Sequence, residues 1–220
     1  MDAIIPAAGL ATRMRGIPKF LLPCDSVYTT LIEEHINALL ENCETVWIPT
    51  RPELVLLLDS LGLAKDRVII LPVSTENMTQ TVEKVLQITK AENFHLIMPD
   101  TFFYGEKPYA TLSPNPDLVD LACWKIREDQ KGKLGQVLIQ GEKVIDMKDK
   151  DVNCAYEHSW GALAFNRKLL NYADPGDPHI GYAVRNALNN GESVSARIMR
   201  GKYFDCGTPS EYLSMLQEVI

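Results

Sequence analysis

The sequence predicts an α/β fold in which a mixed, mainly parallel sheet is covered by helices on both faces. In the first half, short apolar segments typical of buried strands alternate with segments of helical period, an arrangement that favours parallel strands joined by helices. The second half is richer in strand-like segments and has a hairpin signal at Gly141-Glu142. A capped helix near the end completes the pattern.

The first half supplies the alternation of strand and helix. The chain opens with the apolar run Ala3-Ile4-Ile5-Pro6-Ala7-Ala8, typical of a buried strand, which breaks at Gly9. Helical period covers residues 31–40, 53–61 and 79–89, and strands are predicted at residues 45–49, 68–71 and 94–98. In the last of these helices Val82, Val85 and Leu86 share one face, so this helix is expected to pack on the sheet.

The second half is predicted to add mostly strands. They lie at residues 118–126, 137–140, 144–147, 160–165 and 194–199, and the second and third form the hairpin. A helix over residues 180–189 is stopped by Gly191. The last helix begins at Thr208, where a cap residue, a first-turn proline and Glu211 form a capping-box pattern. Its inward-facing residues are expected to be Leu213, Leu216, Val219 and Ile220.

Composition and organisation predict one globular domain. No internal repeat, low-complexity tract or linker interrupts the sequence, so residues 1–220 are expected to form a single Rossmann-like domain with a substantial core. The chain is 46% hydrophobic and 23% charged, as in soluble proteins. Neither a bilayer-spanning segment nor a signal pattern is present, so a cytoplasmic location with no membrane partner is expected.

The charge of the chain restricts its ligands. A formal net charge of −7 argues against nucleic acid as a partner. Any polyanionic ligand must therefore be met by a local cluster of cations or by a metal ion.

Cysteine and histidine spacing gives no sign of a metal centre. The five cysteines are an odd number without a Cys-x-x-Cys pair, so they are expected to be reduced and mostly buried. The four histidines, which have no metal-ligand spacing, are expected to be structural or surface residues. These residues are Cys24, Cys43, Cys123, Cys154 and Cys206, and His35, His95, His158 and His179.

The segment after the first strand has the composition of an anion-binding loop. Gly9 allows unusual backbone conformations and close approach to a ligand, while Arg13 and Lys19 supply positive charge. Arg15 is a third cation in this segment. A P-loop is excluded because Ile17-Pro18 interrupts the required spacing, and a dinucleotide fingerprint is excluded because the second glycine is missing. Triphosphate is the ligand that this loop favours.

Two aspartates follow predicted strands and are candidates for a metal site. Asp100 comes just after the strand at residues 94–98, and Asp205 follows Tyr203-Phe204 just before the last helix. In open α/β sheets, ligands bind beyond the carboxyl ends of the strands. A pair of carboxylates opposite a phosphate loop suits Mg²⁺, which prefers one or two carboxylates together with phosphate oxygens.

Three separated motifs resemble one enzyme family. They are Ala-Ala-Gly-x-Ala-Thr-Arg-Met at residues 7–14 with Pro18-Lys19 and Leu22-Pro23, then Met98-Pro99-Asp100, and then Phe204-Asp205-Cys206-Gly207-Thr208-Pro209 with Tyr212. In this order they are similar to the motifs of the sugar-phosphate nucleotidyltransferases, including short glucose-1-phosphate thymidylyl- and uridylyltransferases. The family usually has glycine where Ala11 stands. A looser match sets Lys150 at a lysine that contacts the sugar phosphate, with Lys148 as the alternative.

The resemblance implies both a fold and a reaction. The fold is the nucleotide-diphospho-sugar transferase type, and the reaction transfers a nucleoside monophosphate to a sugar 1-phosphate with release of pyrophosphate. Arg13 and Lys19 would be catalytic, Asp100 and Asp205 would hold Mg²⁺, and Lys150 and Gly161 would bind the phosphorylated acceptor. The residues expected to bind the nucleoside triphosphate are Ala7, Ala8, Gly9, Leu10, Thr12, Arg13, Met78, Thr79 and Pro99. For Thr79 a simple helix-capping role is favoured.

Several questions stay open on the sequence alone. The base could be that of UTP, dTTP or CTP, and the acceptor could be a non-sugar metabolite such as phosphocholine or a phosphonate. A non-catalytic nucleotide-binding module is the alternative from another class, although such a module would be expected to lose the loop cations or the aspartates. The sequence leaves open whether the chain forms a homo-oligomer. The C-terminal β-helix that many family members add is expected to be absent.

Overall fold

The computed structural model describes residues 1–63 and 66–219. Its strands are β1 (Asp2–Ile4), β2 (Val46–Thr50), β3 (Val68–Pro72), β4 (Asn93–Ile97), β5 (Thr101–Gly105), β6 (Val119–Lys125), β7 (Gly135–Gln140), β8 (Lys143–Asp149), β9 (His158–Asn166), β10 (Val194–Ile198) and β11 (Gly201–Asp205). Its α-helices are α1 (Leu31–Leu39), α2 (Val55–Asp59), α3 (Met78–Leu86), α4 (Gly181–Asn189) and α5 (Pro209–Val219).

A mixed sheet forms the centre of the molecule, as the sequence predicts. Its strand order is β3-β2-β1-β4-β9-β6-β10-β8-β7. The first four strands in this order are parallel, and β10 is parallel to β6. In contrast, β9 runs antiparallel to both β4 and β6, and β7 and β8 form the predicted hairpin. The strands from the first half therefore place their carboxyl ends along one edge.

Helices cover both faces of this sheet because neighbouring residues of each strand point to opposite sides. Ala3 packs in one core cluster with Ile36 of α1, whereas Ile4 packs in a second cluster with Val82 of α3. Leu58 of α2 belongs to the first cluster and Val184 of α4 to the second. The prediction of helices on both faces is confirmed.

A second, two-stranded sheet was not predicted. In it β5 pairs antiparallel with β11, from Thr101 opposite Asp205 to Gly105 opposite Gly201. The aromatic run Phe102-Phe103-Tyr104 is strand-like, but it follows β4 after a short turn, and its partner lies far along the chain. Local periodicity does not reveal such a pairing. This two-stranded ribbon of β5 and β11 begins just after Asp100, and so it starts at the predicted site.

The ends of the helices correct several details. The second predicted helix, over residues 53–61, is a 3₁₀ turn at Pro52–Leu54 followed by the short α2. At the last helix Thr208 is the predicted cap, since its Oγ1 accepts the Glu211 N–H at 3.4 Å, and the same hydroxyl donates to Glu211 Oε2 at 2.8 Å.

The predicted inward face of α5 is partly wrong. Leu213 is 57% exposed, and Met215 is the fully buried residue of this helix. Leu216 and Val219 are partly buried against the same cluster. Ile220 lies outside the described residues. The helix is rotated so that Met215 meets Phe102 and Phe204 of the ribbon cluster, which the sequence pattern of α5 alone could not specify.

The cysteines are free thiols, four of them buried, as predicted. Burial raises the pKa of Cys24 to about 12 and that of Cys43 to about 11, so these thiols stay protonated near neutral pH.

Over residues 1–63 and 66–219, no helix has both the length and the apolar composition that crossing a bilayer requires.

The ribbon of β5 and β11 requires glycine at position 201. Its φ is +106°, and a Cβ there would lie 2.0 Å from the carbonyl oxygen of Tyr104. Gly201→Ala is therefore expected to lower the free energy of unfolding in urea by about 3 kcal/mol. Gly191→Ala is the matched control: φ is +86° there but no atom lies within 4 Å, so a loss of about 1 kcal/mol is expected. Equal losses in the two variants would contradict this account of the ribbon.

Candidate active site

A long cleft runs across the carboxyl ends of the parallel strands, where α/β sheets bind ligands. It consists of three adjoining cavities. The first, of about 280 Å³, lies between the loop at residues 9–20 and Pro99-Asp100. The second, of about 780 Å³, extends toward residues 51–53 and 73–77. The third, of about 200 Å³, extends toward Lys150 and Trp160. Met78 lines all three, so the cavities form one continuous surface.

The loop after β1 is fixed at its start and turns sharply at Ala11. The Ala7 N–H donates to the Pro49 carbonyl at 2.9 Å, and Thr50 Oγ1 donates to the Ala7 carbonyl at 3.0 Å. The Met14 and Gly16 N–H groups both donate to the Ala11 carbonyl, at 2.9 and 3.1 Å. Ala11 adopts a left-handed conformation with φ 49°. Glycine adopts this conformation more readily than alanine, and glycine is the residue that the resemblance leads one to expect at this position.

Gly9 does not use the unusual backbone conformations that glycine allows, because its φ is not positive. The left-handed residues of this loop are Ala11, Arg15 and Gly16. A Cβ built on Gly9 meets no atom within 4 Å, so the fold itself leaves room for a side chain. Close approach of a ligand to Gly9 stays a prediction. Of the other predicted nucleotide residues on this side, Ala7, Leu10 and Thr12 line the first cavity, and Ala8 lines the second.

The predicted loop cations have different positions. Arg13 lines the first and third cavities and is exposed, and Lys19 lines the first. Lys19 Nζ forms an ion pair with Asp100 Oδ2, and both side chains are less than one-fifth exposed. Arg15 is exposed and lines none of the three cavities. The structure thus brings two of the three candidate cations to the junction of the first and third cavities.

Pairing of β5 with β11 brings the two candidate aspartates together. Thr101 lies opposite Asp205, and the Cys206 N–H donates to the Asp100 carbonyl at 2.8 Å. Both Asp100 and Asp205 line the third cavity. Burial raises the pKa of Asp205 to about 6, with further repulsion from Asp100 and Glu211, and Lys19 and Arg13 oppose the rise. The two carboxylates therefore lie in the same partly dehydrated part of the cleft.

This pair fits the ligand set expected for Mg²⁺. The described residues contain no cluster of three or more histidine, cysteine, aspartate or glutamate side chains that would hold a metal ion by itself. Two carboxylates completed by phosphate oxygens are nevertheless the set that Mg²⁺ favours. Burial is the main cause of the raised pKa of Asp205 and the charge of Asp100 adds to it, so a divalent cation bound here would favour the ionised form.

The second cavity is formed largely by the segment that precedes α3. Ser74, Thr75 and Glu76 line it together with Met78. The predicted cap of α3 is wrong, because the Asn77 side chain accepts the Gln80 N–H at 2.9 Å and caps the helix.

Thr79, predicted to bind nucleotide, lies away from the surface of the cleft. It points into the protein, fully buried, and its hydroxyl has no hydrogen-bond partner among the described residues. It lines none of the three cavities. Arg51, which the sequence analysis missed, lines the second cavity and forms an ion pair with Glu53 at 2.7 Å.

The third cavity contains both predicted and unpredicted residues. Lys150 lines it with its side chain exposed, and so does Lys133, which the sequence did not single out. Asp149 and His179, also not singled out, line it with mostly buried side chains. Lys148, the alternative to Lys150, pairs with Asp151 at 3.7 Å and does not line this cavity. No sequence signal distinguishes Lys133 from an ordinary surface lysine, because its position depends on how two loops meet.

Gly161 lies beneath the cleft surface. It is buried, and a Cβ there would lie 2.4 Å from Tyr203 Cε2 and 3.1 Å from Trp124 Cζ3. This glycine is needed so that the Tyr203 ring can pack against β9, and its neighbour Trp160 lines the third cavity.

The chain is similar to known proteins in both sequence and structure. A family model described as the MobA-like NTP transferase domain matches residues 3–145. No curated protein sequence gives a significant match.

Solved structures with the same fold cover nearly the whole chain. A protein from Bacillus anthracis assigned as a glucose-1-phosphate thymidylyltransferase, in complex with a sucrose, has a TM-score of 0.84 at 16% identity, over 99% of this chain and 94% of that one. The inositol-1-phosphate CTP transferase from T. maritima has a TM-score of 0.81 at 16% identity, over 99% and 95%. A UDP-glucose pyrophosphorylase complexed with UDP-glucose has a TM-score of 0.79 at 19% identity, over 99% and 97%.

The raised pKa of Asp205 predicts a stabilising substitution. The folded protein holds this proton more tightly than the unfolded chain does, so stability falls as the pH rises from 3.8 to about 6. At pH 7.5, Asp205→Asn is expected to raise the free energy of unfolding by on the order of 1–3 kcal/mol. In urea titrations the difference from the unsubstituted protein should disappear near the lower end of that pH range.

Asp149→Asn is the control with the opposite sign. The hydrogen bond from His179 is the largest of the effects that hold the pKa of Asp149 below its usual range. Its charge therefore stabilises the fold above the usual pKa, and this stability is lost as the pH falls through the lowered pKa. Asp149→Asn should be less stable than the unsubstituted protein at pH 7.5. Shifts of the same sign in the two variants would refute the electrostatic description of the cleft.

Proposed function

The chain belongs to the MobA-like NTP transferase domain family, and on that premise we propose that it transfers a nucleoside monophosphate from a nucleoside triphosphate to a sugar 1-phosphate. Pyrophosphate is the leaving group and a nucleotide sugar is the product. The observation that carries this proposal is the meeting of two cations, Arg13 and Lys19, with two carboxylates, Asp100 and Asp205, where two cavities join.

The cleft has room for both substrates in line. The second cavity, of about 780 Å³, is of the size that proteins use for small organic ligands and would take the nucleoside. The triphosphate would then lie along Gly9, Thr12 and Arg13 in the first cavity. The acceptor would enter the third cavity, so that its phosphate meets the α-phosphorus beside Arg13.

The proposed reaction needs positioning and charge neutralisation more than proton transfer. The attacking oxygen belongs to a phosphate and is already anionic, so the residues must hold two anions together and stabilise the departing pyrophosphate. Arg13 can make bidentate contacts to phosphate oxygens. Lys19, held by Asp100 in the free protein, would exchange that carboxylate for a phosphate oxygen.

We assign Asp100 and Asp205 as the residues that hold Mg²⁺. Their carboxylates would supply two of its ligands, and phosphate oxygens would supply others. When bound, Mg²⁺ neutralises charge on the phosphate oxygens of both substrates and so favours their approach. Asp205 must be ionised for this role, and the nearby charges of Lys19 and Arg13 favour its ionised form.

The acceptor end supports a phosphorylated, hydroxyl-bearing molecule. Lys133, Lys150 and Arg13 line the third cavity and would contact the acceptor phosphate. Two of the structural neighbours are named for a sugar phosphate or an inositol phosphate. A quaternary ammonium acceptor such as phosphocholine is the alternative, because Trp160 and Tyr203 also line this cavity and aromatic rings bind such groups.

Pyrophosphate release is the direct test of this proposal. The purified protein is incubated with Mg²⁺, each common nucleoside triphosphate and, in turn, sugar 1-phosphates, inositol 1-phosphate, phosphocholine and simple phosphonates. Release that depends on the acceptor is expected with a sugar or inositol phosphate. Nucleotide binding in calorimetry without release from any pair would favour a binding module, and absence of both would refute the proposal.

The aspartates and a matched pair of arginines sharpen this test. Asp100→Ala and Asp205→Ala are each expected to lower kcat by about 100-fold or more, because the charge at the reacting phosphates is no longer balanced. Arg13→Ala should also be impaired, whereas Arg15→Ala, in the same loop but outside the cleft, should retain turnover. Circular dichroism establishes that each variant is folded. Normal Mg²⁺-dependent turnover in both aspartate variants would contradict the metal assignment.

Gly9 gives an independent test of where the triphosphate lies. Because a Cβ at this position meets no atom within 4 Å, Gly9→Ala should leave the melting temperature unchanged. If the triphosphate approaches the loop here, calorimetry should show its affinity lowered by about tenfold. Ala11→Gly is the control in the same loop, since it removes a methyl group at a left-handed residue and should keep the affinity. Full affinity of Gly9→Ala would move the triphosphate away from this residue.

A further inference from the structure

His179 lies at the acceptor end of the cleft, in the loop that leads into α4. Its side chain is 16% exposed and lies between two aromatic rings, with the Trp160 ring centroid at 6.0 Å and the Tyr182 ring centroid at 4.9 Å. None of the sequence motifs includes it, and the proposed phosphate contacts do not use it.

Hydrogen bonds determine which nitrogen of this imidazole carries a proton. The Gly181 N–H donates to His179 Nδ1 at 3.2 Å, so Nδ1 must be the unprotonated nitrogen of the neutral ring. The proton then lies on Nε2, which is 3.4 Å from Asp149 Oδ2. The backbone at the start of α4 thus aims a donor at the Asp149 carboxylate.

Asp149 receives its donors on one oxygen only. The Tyr182 hydroxyl also donates to Oδ2, at 3.5 Å, and among the described residues no donor to Oδ1 is found. The His179 hydrogen bond is the main cause of the lowered pKa of Asp149, with a smaller effect of Lys150, so the carboxylate is ionised near neutral pH. Asp149 lines the third cavity with Lys133 and Lys150. Among the described residues Oδ1 therefore has no donor, and it is available to accept a hydrogen bond from a ligand in this cavity.

We propose that His179 is a positioning residue: its imidazole fixes Oδ2 of Asp149 so that Oδ1 accepts a hydrogen bond from a hydroxyl group of the acceptor. This inference rests on the proposed function and narrows it, because it requires an acceptor with a hydroxyl group beyond its phosphate. The two lysines would bind the phosphate, and Asp149 would bind the far side of the ring. A hydroxyl-bearing ring phosphate satisfies both contacts, whereas phosphocholine has no hydroxyl to offer.

A purely structural role for His179 makes a different prediction. In that case the contact to the Gly181 N–H would be the important one, since it closes the turn before α4. Two amide side chains separate these roles. In His179→Gln the amide nitrogen can take the position of Nε2 and still reach Asp149. In His179→Asn the amide oxygen can take the position of Nδ1 and still accept the Gly181 N–H, but the side chain is too short to reach Asp149.

The experiment measures kcat and both KM values for the two amide variants and His179→Ala, using the acceptor that the unsubstituted protein turns over. A positioning role predicts that KM for the acceptor rises by about tenfold in His179→Asn and His179→Ala but stays near normal in His179→Gln. KM for the nucleoside triphosphate should not change. Asp149→Asn should raise the acceptor KM similarly, and adding His179→Ala to it should have little further effect.

A ¹³C NMR titration of the Asp149 carboxyl group supplies a readout that does not depend on turnover. Its pKa should rise toward the usual value in His179→Ala and His179→Asn and stay low in His179→Gln. The inference is overturned if His179→Asn behaves like the unsubstituted protein in both measurements, or if the acceptor KM is the same in all variants. Absence of turnover in the unsubstituted protein would instead overturn the proposed function, and the titration would then still test the coupling of His179 to Asp149.

Discussion

The pairing of β5 with β11 is the constraint on which the site depends. It joins the end of the parallel sheet to a segment near the end of the chain, and its last backbone hydrogen bond, from Cys206 to the Asp100 carbonyl at 2.8 Å, lies between the two candidate metal ligands. Aromatic packing supports the ribbon, with the Tyr203 ring centroid 5.5 Å from Trp124 and 5.9 Å from Phe103. The fold thereby holds two carboxylates close enough to repel each other, which the raised pKa of Asp205 records.

Local charge at this site works against the charge of the whole molecule. At a net charge of −7 the protein as a whole repels polyanions, so affinity for a triphosphate has to come from a few cations close to it. Lys19 is the best placed of these, and in the free protein its charge is balanced by Asp100. A phosphate and a divalent cation arriving together would give both partners a new counter-charge. Neither arriving alone would do so, which favours joint binding of the two.

The sequence was sufficient where function follows from local order along the chain. The strand that ends near Gly9, the cations that follow it and the aspartate after β4 each lie within one segment, and the alternation of helix and strand predicted the edge of the sheet where they meet. Contacts made only by folding escaped prediction. His179 was expected to be only a structural or surface residue, because its partner Asp149 comes from a distant strand end. Thr79 is a different case: it lies three residues before Val82, on the face of α3 that was predicted to pack on the sheet, so the local pattern indicates its burial and only the resemblance suggested a nucleotide contact.

The residues predicted from local sequence and the residues brought together only by folding lie mainly at different ends of the cleft. The match to the family model ends at residue 145, and it includes the phosphate loop and Asp100. The wall of the third cavity comes from both parts of the chain, and the later part supplies Asp149, Trp160 and His179. The proposed nucleotide end is therefore built from the part of the chain that the family model describes. The proposed acceptor end also uses residues of β8, of β9 and of the loop before α4, which lie beyond that match. For this reason family membership indicates the reaction, whereas the identity of the acceptor must be sought in the hydrogen bonds of these later residues.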